Sequence, residues 1–281
     1  MHMTAAGLFV EQGEEAGEFR WRMAVRPMDL PAWIVVDDDY ETDLAEVHEL
    51  LATRHDEIVV SLPDSSTATL EVRDAIADQL GCPINTDDID PLEAARRMVQ
   101  EDLCVLERRE AGWVLTAAAV AAPTAWDVPS KLGRTLDEIH QPVPRYDTDL
   151  SERMNTFFDR LKVERPVWRS NWTVTDDPSL RLDVPIRSAA TDPTITVDNV
   201  GERLWLRVEY QTLRRMPKTG CIVFTIRILR QRLESVADCP GAIAYLVARL
   251  AAIPEDVAVY KHSSVLYTDL IGEWASARTK E

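Results

Sequence analysis

Three clusters of side chains in this sequence could bind a ligand or act on one. The first is His140, which ends an apolar-periodic segment and is followed at once by Pro142 and Pro144, which cannot continue a helix. An imidazole fixed in this way suits metal or haem ligation, because a backbone carbonyl can orient its second ring nitrogen. The alternative interpretation is a half-buried histidine that closes a helix C-terminus, where its charge would complement the helix dipole.

The other two clusters lie on segments with strand periodicity. Arg169 and Asn171 are two residues apart, so they project side by side from one face of a strand. Burying them is costly unless both have partners, which a polar ligand or a structural salt bridge could supply. Glu209 and Gln211 share the face opposite the apolar side of a second strand. They point either to solvent, the default in an antiparallel sheet, or into a cavity.

The elements that must position these clusters form a sheet with helices around it. Alternating apolar and polar residues predict four strands, near Trp113, Trp168, Trp205 and Val223. Two hairpin turns and no strand-helix-strand alternation favour an α+β fold built on a twisted antiparallel sheet with flanking helices. Residues 1–17 are acidic and rich in small side chains, and are expected to be disordered. Residues 18–281 are expected to form a single domain.

Composition excludes several classes of protein. The chain has 281 residues, of which 46% are hydrophobic, and a net charge of -17 that disfavours nucleic acid and anionic membranes. No apolar run approaches the roughly 20 residues of a membrane span, and no signal peptide is present, so we expect a cytoplasmic protein. The four cysteines have neither CxxC nor zinc spacing. The chain also lacks GxGxxG, phosphate-loop, GxSxG and HExxH motifs.

Several linked motifs, taken in chain order, resemble one known family. They are Pro123-x-x-Trp126, Lys131-Leu-Gly-Arg134, Ile139-His140-x-Pro-Val-Pro144, Arg169-x-Asn-Trp172, Val208-Glu209-x-Gln-Thr-Leu213, Arg215-x-Pro-x-Thr-Gly220 and Phe224-Thr-Ile-Arg227. Together they resemble the haem-dependent oxidative N-demethylase catalytic (alpha) subunit family from about Phe19 to Tyr267. One position departs from the family pattern, because Tyr210 stands where an arginine is common.

The resemblance implies a PAS-like sheet that holds haem b and its iron. It implies O2 as the oxidant, a small amine that loses a methyl group as formaldehyde, and electrons from separate flavin and iron-sulfur partners. The chain itself has no flavin or nicotinamide fingerprint, which agrees with an external electron donor. A homodimer is compatible with this reading. The implied cofactor-binding residues are His140, the iron ligand, with Lys131, Arg134, Asn171 and Arg215.

The resemblance also implies roles for the strand residues. Glu209 is expected to hold a cationic amine opposite His140, while Arg169 reaches the same space and stabilises negative charge on the activated oxygen or meets a haem propionate. Tyr210, on the other strand face, is expected to affect packing. Three alternatives remain: a PAS-type haem sensor of a diatomic gas, a related haem tailoring enzyme with a different substrate, and a haem-free interaction protein.

Overall fold

The computed structural model describes residues 3–11, 19, 21–85, 88–183, 191–261 and 265–278. The strands are β1 (Arg26–Pro27), β2 (Val59–Ser61), β3 (Asp102–Arg109), β4 (Gly112–Ala119), β5 (Val167–Thr175), β6 (Trp205–Arg215) and β7 (Ile222–Arg232). The helices are α1 (Ala5–Glu11), α2 (Tyr40–Ile58), α3 (Ser66–Leu80), α4 (Pro91–Arg96), α5 (Leu136–His140), α6 (Tyr146–Asp149), α7 (Ser151–Arg160), α8 (Val200–Arg203), α9 (Leu233–Val236), α10 (Ala242–Ala251), α11 (Glu255–Tyr260) and α12 (Thr268–Arg278). Short 3-10 turns cover Leu30–Ala32 and Pro129–Lys131.

In the described residues, the strands form one seven-stranded sheet in the order β1-β5-β6-β7-β3-β4-β2. Every neighbouring pair of strands is antiparallel. The four strands predicted from alternation are β4 to β7, and the two predicted hairpins are β3-β4 and β6-β7. The α+β prediction with an antiparallel sheet and flanking helices is therefore confirmed.

The two faces of the sheet carry different chemistry. On the face that we call the back face, Leu206, Val208 and Tyr210 of β6 belong to the largest apolar cluster. The front face is the one that carries Glu209 and Gln211. Because side chains alternate along a strand, each residue of β6 serves one face only. Front-face residues of the neighbouring strands include Phe224, Ile226 and Ile228 of β7, Cys104 of β3 and Ala118 of β4.

A buried ion pair fixes the end of β4. Helix α4 begins at the capping residue Asp90, whose carboxylate accepts a hydrogen bond from the Leu92 N–H at 2.7 Å. The helix places Arg96 next to Asp102, and the Arg96 Nε–H donates to the carboxylate at 3.0 Å. The same carboxylate accepts hydrogen bonds from the backbone N–H groups at 121 and 122, at 2.8 and 3.1 Å. Neither side chain of the pair is exposed, so this contact holds the segment that leaves β4.

The prediction of disorder for residues 1–17 is wrong for Ala5–Glu11, which form α1. Phe9 packs against the rings of Trp172 and Tyr245, with ring centres 5.2 and 4.9 Å apart. The Ala6 N–H donates to Gln231 at 3.1 Å. Seven residues are too few to show a helical period in the sequence. This segment is therefore helical because it packs on the sheet, and not because of its own helix propensity. Residues 1–2 and 12–18 lie outside the described residues, and the single-domain assignment of 18–281 stays a prediction.

Replacing Asp102 with alanine should strongly destabilise the protein. The change leaves the Arg96 charge buried without its carboxylate and removes the acceptor of two buried N–H groups. Breaking a buried pair in this way costs about 3–5 kcal/mol. We expect the free energy of unfolding, measured by chemical denaturation, to fall by about that amount.

The matched control is Glu234→Gln. Glu234 lies 3.7 Å from Arg232, and its side chain is 42% exposed. Exposed pairs contribute about 0–1 kcal/mol. A loss in the Asp102→Ala protein no greater than in this control would contradict the anchoring role of Asp102.

Candidate cofactor and active site

Helix α5 places His140 at its last position. The helix begins with a capping box, in which the Glu138 N–H donates to Thr135 Oγ1 at 3.3 Å and the Thr135 N–H donates to the Glu138 carboxylate at 2.8 Å. The prolines at 142 and 144 follow directly after the helix. The sequence prediction of a histidine at the end of a short helix is confirmed.

The His140 ring is held by its edge and by one face. Its Nδ1 atom lies 2.8 Å from the Leu136 carbonyl oxygen. Because a carbonyl only accepts, Nδ1 carries the hydrogen and Nε2 keeps a lone pair in the neutral ring. The Tyr146 ring stacks on the imidazole with centres 5.1 Å apart and planes within 12°. The Tyr146 hydroxyl in turn donates to Asp137 at 2.8 Å, so the imidazole is oriented as a metal ligand requires.

The surroundings of His140 favour the neutral imidazole. Burial lowers the pKa of His140 below its ordinary value, and the charges of Arg169 and Lys131 lower it further. A lowered pKa reduces the positive charge that the alternative interpretation assigns to this helix end, and the choice between the two interpretations stays a prediction. Arg169 and Lys131 therefore lie close enough to the imidazole for their charges to act on it. The cofactor and oxygen contacts expected of these two residues stay predictions.

The two basic residues of the Lys131-Leu-Gly-Arg134 motif have different environments. The Lys131 ammonium lies 3.3 Å from the Ile139 carbonyl oxygen, and partial burial lowers the pKa of Lys131. Arg134 is 58% exposed and lies 3.6 Å from Glu138. Lys131 therefore lies beside α5 near His140, whereas the described contact of Arg134 is a surface ion pair.

Arg215 stabilises the end of α7. Its guanidinium donates to the carbonyl oxygens of Leu161 and Phe158, at 2.6 and 2.5 Å, and lies 5.0 Å from the centre of the Trp113 ring. These contacts give Arg215 a structural role between α7 and the β6-β7 hairpin. The cofactor contact that the resemblance implied for it stays a prediction.

The strand residues of the second and third clusters come together on the front face. In the register of β5 and β6, Asn171 lies opposite Glu209, and Arg169 lies opposite Gln211. Glu209 is only 8% exposed, so of the two orientations left open by the sequence the one toward solvent is excluded. That Glu209 faces a ligand cavity stays a prediction. Its Oε1 atom accepts from the Thr124 hydroxyl at 2.6 Å. Its Oε2 atom accepts from the amides of Gln211, at 2.6 Å, and Asn171, at 3.5 Å.

Two further residues belong to this cluster, Arg207 and Thr124, and neither is among the site residues predicted from the sequence. Arg207 is buried and donates to Thr124 Oγ1 at 3.0 Å and to the carbonyl oxygens of Ala122 and Ser179 at 2.9 and 3.2 Å. Burial lowers the pKa of Arg207 to about 10, so it remains cationic near neutral pH. Alternation already placed Arg207 on the face of Glu209. Thr124 lies in a loop without a period, so only the tertiary structure reveals it.

Tyr210 lies on the back face, as alternation predicted. Its hydroxyl donates to the Ala32 carbonyl oxygen at 3.2 Å, and its ring centre lies 5.4 Å from that of Trp168. The departure from the family pattern at this position therefore affects back-face packing, while the described contacts of Glu209 come from other residues.

Apolar side chains next to His140 in the chain or in contact with its ring connect helix α5 to the front face. Leu136, Ile139 and Tyr146 pack in one cluster with Phe224 of β7, and Trp126 contacts this cluster and its front-face neighbour. Haem needs a nitrogen donor, apolar walls and cations for its carboxylates. These residues fit that requirement. Among the described residues, no group of three or more histidine, cysteine, aspartate or glutamate side chains could hold a metal ion.

An open cleft lies beside β5 and reaches Arg169 and Asn171. Lys261 lies between two aromatic walls of the cleft, 5.9 and 5.0 Å from the ring centres of Trp21 and Trp172. The described lining includes four basic side chains and no acidic one. Basic side chains therefore outnumber acidic ones in the described lining of the cleft.

Fold and site together define a class of protein, an α+β protein with an oriented, neutral histidine near cations and a buried carboxylate on the adjoining sheet face. A family model described as haem-dependent oxidative N-demethylase, alpha subunit-like, matches residues 79–271. The chain belongs to this family, and the matched range contains His140, Arg169 and Glu209. The family's description is that of a haem-dependent oxidoreductase.

In the parts of the chain that the structure describes, no helix is long and apolar enough to cross a membrane. The cytoplasmic location and the homodimer stay predictions.

Replacing His140 with alanine should abolish haem retention, because the change removes the nitrogen donor at the end of α5. The measurement is the Soret absorbance per protein after haem loading and gel filtration. The matched control is His48→Ala, because His48 Nε2 also contacts a backbone carbonyl, that of Arg97, at 3.0 Å. Normal haem occupancy and an unchanged spectrum in the His140→Ala protein would refute the ligand assignment.

Proposed function

We propose that this chain is a haem-dependent oxidative enzyme that removes a methyl group from a small amine with O2 and releases it as formaldehyde. We also propose that its antiparallel sheet is the PAS-like, haem b-binding sheet of the family. The observation that carries the proposal is the buried Glu209 carboxylate, on the same sheet face against which the helix of His140 packs.

His140 would hold the haem iron through Nε2, because Nδ1 is engaged by the Leu136 carbonyl. Lys131 and Arg169 would pair with the haem propionates, since both cations act on His140. The expectation that Arg169 also stabilises charge on the oxidant stays a prediction. Haem, when bound, would supply the oxidation that removes the methyl group.

Glu209 would bind the amine. A small amine is cationic near neutral pH, and a carboxylate in a partly dry site attracts such a cation far more strongly than in water. The amides of Gln211 and Asn171 donate to Oε2 and restrict its orientation. A carboxylate fixed in this way would orient the amine nitrogen and with it the methyl group, which is the contribution expected of the protein.

A second candidate is a related haem-dependent enzyme with a different substrate, one that carries an anionic group as well as an amine. The basic cleft beside β5 favours it, because the cleft reaches Asn171, the residue opposite Glu209. A haem sensor for a diatomic gas is distinguished from both by the absence of amine-dependent oxygen consumption.

Replacing Glu209 with glutamine should keep the fold and the haem but raise the amine concentration needed for half-maximal turnover at least about tenfold, or stop turnover. The physical reason is that an amide of the same shape lacks the charge that attracts the ammonium group. Amine-dependent oxygen consumption and formaldehyde release are the measurements.

The control for this variant is Glu107→Gln. Glu107 is also a strand glutamate with a side-chain partner, Arg109 at 3.1 Å, but it lies on β3 outside the Glu209 cluster. Unchanged kinetics in the Glu209→Gln protein, with the control also unchanged, would contradict an amine-binding role for Glu209.

Turnover should depend on an external electron donor, for which a flavin and iron-sulfur partner is proposed. Reductive oxygen activation at haem needs electrons, and the sequence has no flavin or nicotinamide fingerprint to supply them. Formaldehyde release should therefore require an added reductase system or a chemical reductant. Sustained turnover by the isolated, haem-loaded chain with only O2 and amine would overturn this expectation.

A further inference from the structure

The two buried charges of the front face are linked through a hydroxyl group. Arg207 Nε lies 3.0 Å from Thr124 Oγ1, and Thr124 Oγ1 lies 2.6 Å from Glu209 Oε1. Both charged side chains are buried, at 1% and 8% exposure. Thr124 is therefore the point at which the cation is connected to the carboxylate.

The hydrogen positions in this chain of contacts follow from the chemistry of the groups. An arginine Nε–H can only donate, so Thr124 Oγ1 accepts from Arg207. The single hydrogen of the hydroxyl then points to Glu209 Oε1, which accepts it. Because the donor is itself polarised by a cation, this hydrogen bond is expected to be stronger than one from an isolated hydroxyl.

The backbone around Thr124 is held in place by a second segment. Thr124 forms an isolated parallel bridge with Leu182. The Leu182 N–H donates to the Pro123 carbonyl at 3.0 Å, and the Ala125 N–H donates to the Leu182 carbonyl at 2.9 Å. Ala125 has a φ of +57°, a conformation that costs a non-glycine residue energy and persists where the surroundings impose it. The direction of the Thr124 side chain is thus set by tertiary contacts.

Linking the charges through Thr124 leaves acceptor capacity on Glu209. A carboxylate has about four acceptor positions. Thr124 and Gln211 occupy two of them at 2.6 Å, and Asn171 approaches a third at 3.5 Å. A direct two-pronged pair with Arg207 would occupy both oxygens and offset the charge that a ligand could use. Because the Thr124 hydroxyl lies between the two side chains, Arg207 compensates the negative charge of Glu209 without contacting its oxygen atoms.

We propose that Thr124 is a positioning residue for amine binding, whose hydroxyl, oriented by Arg207, fixes the Glu209 carboxylate so that one acceptor position is directed to the ligand. The inference rests on the proposed function, because it assumes that Glu209 receives the amine. It extends that function to a loop residue that needs no contact with the amine.

The test compares Thr124→Val, which keeps the shape but lacks the hydroxyl, with Thr124→Ser, which keeps the hydroxyl. Haem-loaded proteins are titrated with methylamine, dimethylamine and trimethylamine, and binding is followed by the change in the haem absorption spectrum. Loss of a hydrogen bond to a charged group should raise the Kd of the Thr124→Val protein about 10- to 100-fold. Thr124→Ser should restore the Kd to within about threefold of the parent value.

The matched control is Thr116→Val. Thr116 is a fully buried threonine of β4 whose hydroxyl donates to the Val105 carbonyl at 3.4 Å. Its loss should leave the amine Kd unchanged. Arg207 is less suitable as a target, because its removal would also leave the Ala122 and Ser179 carbonyl oxygens without their donor. If Thr124→Val does not fold, Thr124→Cys replaces it, since a thiol is only a weak donor.

The outcomes separate this inference from the proposed function. If Glu209→Gln weakens amine binding and Thr124→Val does not, the positioning role is overturned and the proposed function stands. Equal weakening in Thr124→Ser and Thr124→Val, or in Thr116→Val, also overturns the role, because packing would then explain the effect. If the parent protein retains no haem, or its spectrum responds to none of the three amines, the proposed function fails and this inference with it.

Discussion

The Asp102 carboxylate is fully buried and depends on the protein for all its hydrogen bonds. Arg96 and the backbone N–H groups at 121 and 122 supply them, at the point where the chain leaves β4. The carbonyl of Ala122 then accepts from Arg207, which continues the network to Thr124 and the Glu209 cluster. A buried charge without partners is costly, so each link constrains the next. The position of the candidate active site is therefore coupled to the core of the fold.

One face of the sheet packs into the apolar core, and the other carries the candidate functional residues. Leu206, Val208 and Tyr210 of β6 pack into the back-face core, while Arg207 and Glu209, which alternate with them, serve the front face. The chain has a net charge of -17, yet the positive charges of Arg169 and Lys131 act on His140, and Arg207 lies in the Glu209 cluster. The charge around His140, set by a few side chains, thus differs in sign from the charge of the whole molecule.

Local patterns in the sequence were enough to predict several features. Alternation predicted the strands that became β4 to β7, and it placed Glu209 and Tyr210 on opposite faces. The prolines after His140 predicted the end of its helix, because proline removes a backbone donor and restricts the chain there. Helix α1 was missed, since so short a segment depends on burial of residues such as Phe9 against the sheet.

The sequence by itself determined the strands, their two faces and the end of the His140 helix, because these depend on residues close together in the chain. The sequence could not determine which polar strand face would be buried, because that depends on which distant elements pack against the sheet. Only the tertiary structure buried Glu209, brought Thr124 to it across 85 positions, and placed Arg169 near His140. The tertiary structure also shows that Arg215 binds at the end of α7, because its guanidinium donates hydrogen bonds to the carbonyl oxygens there.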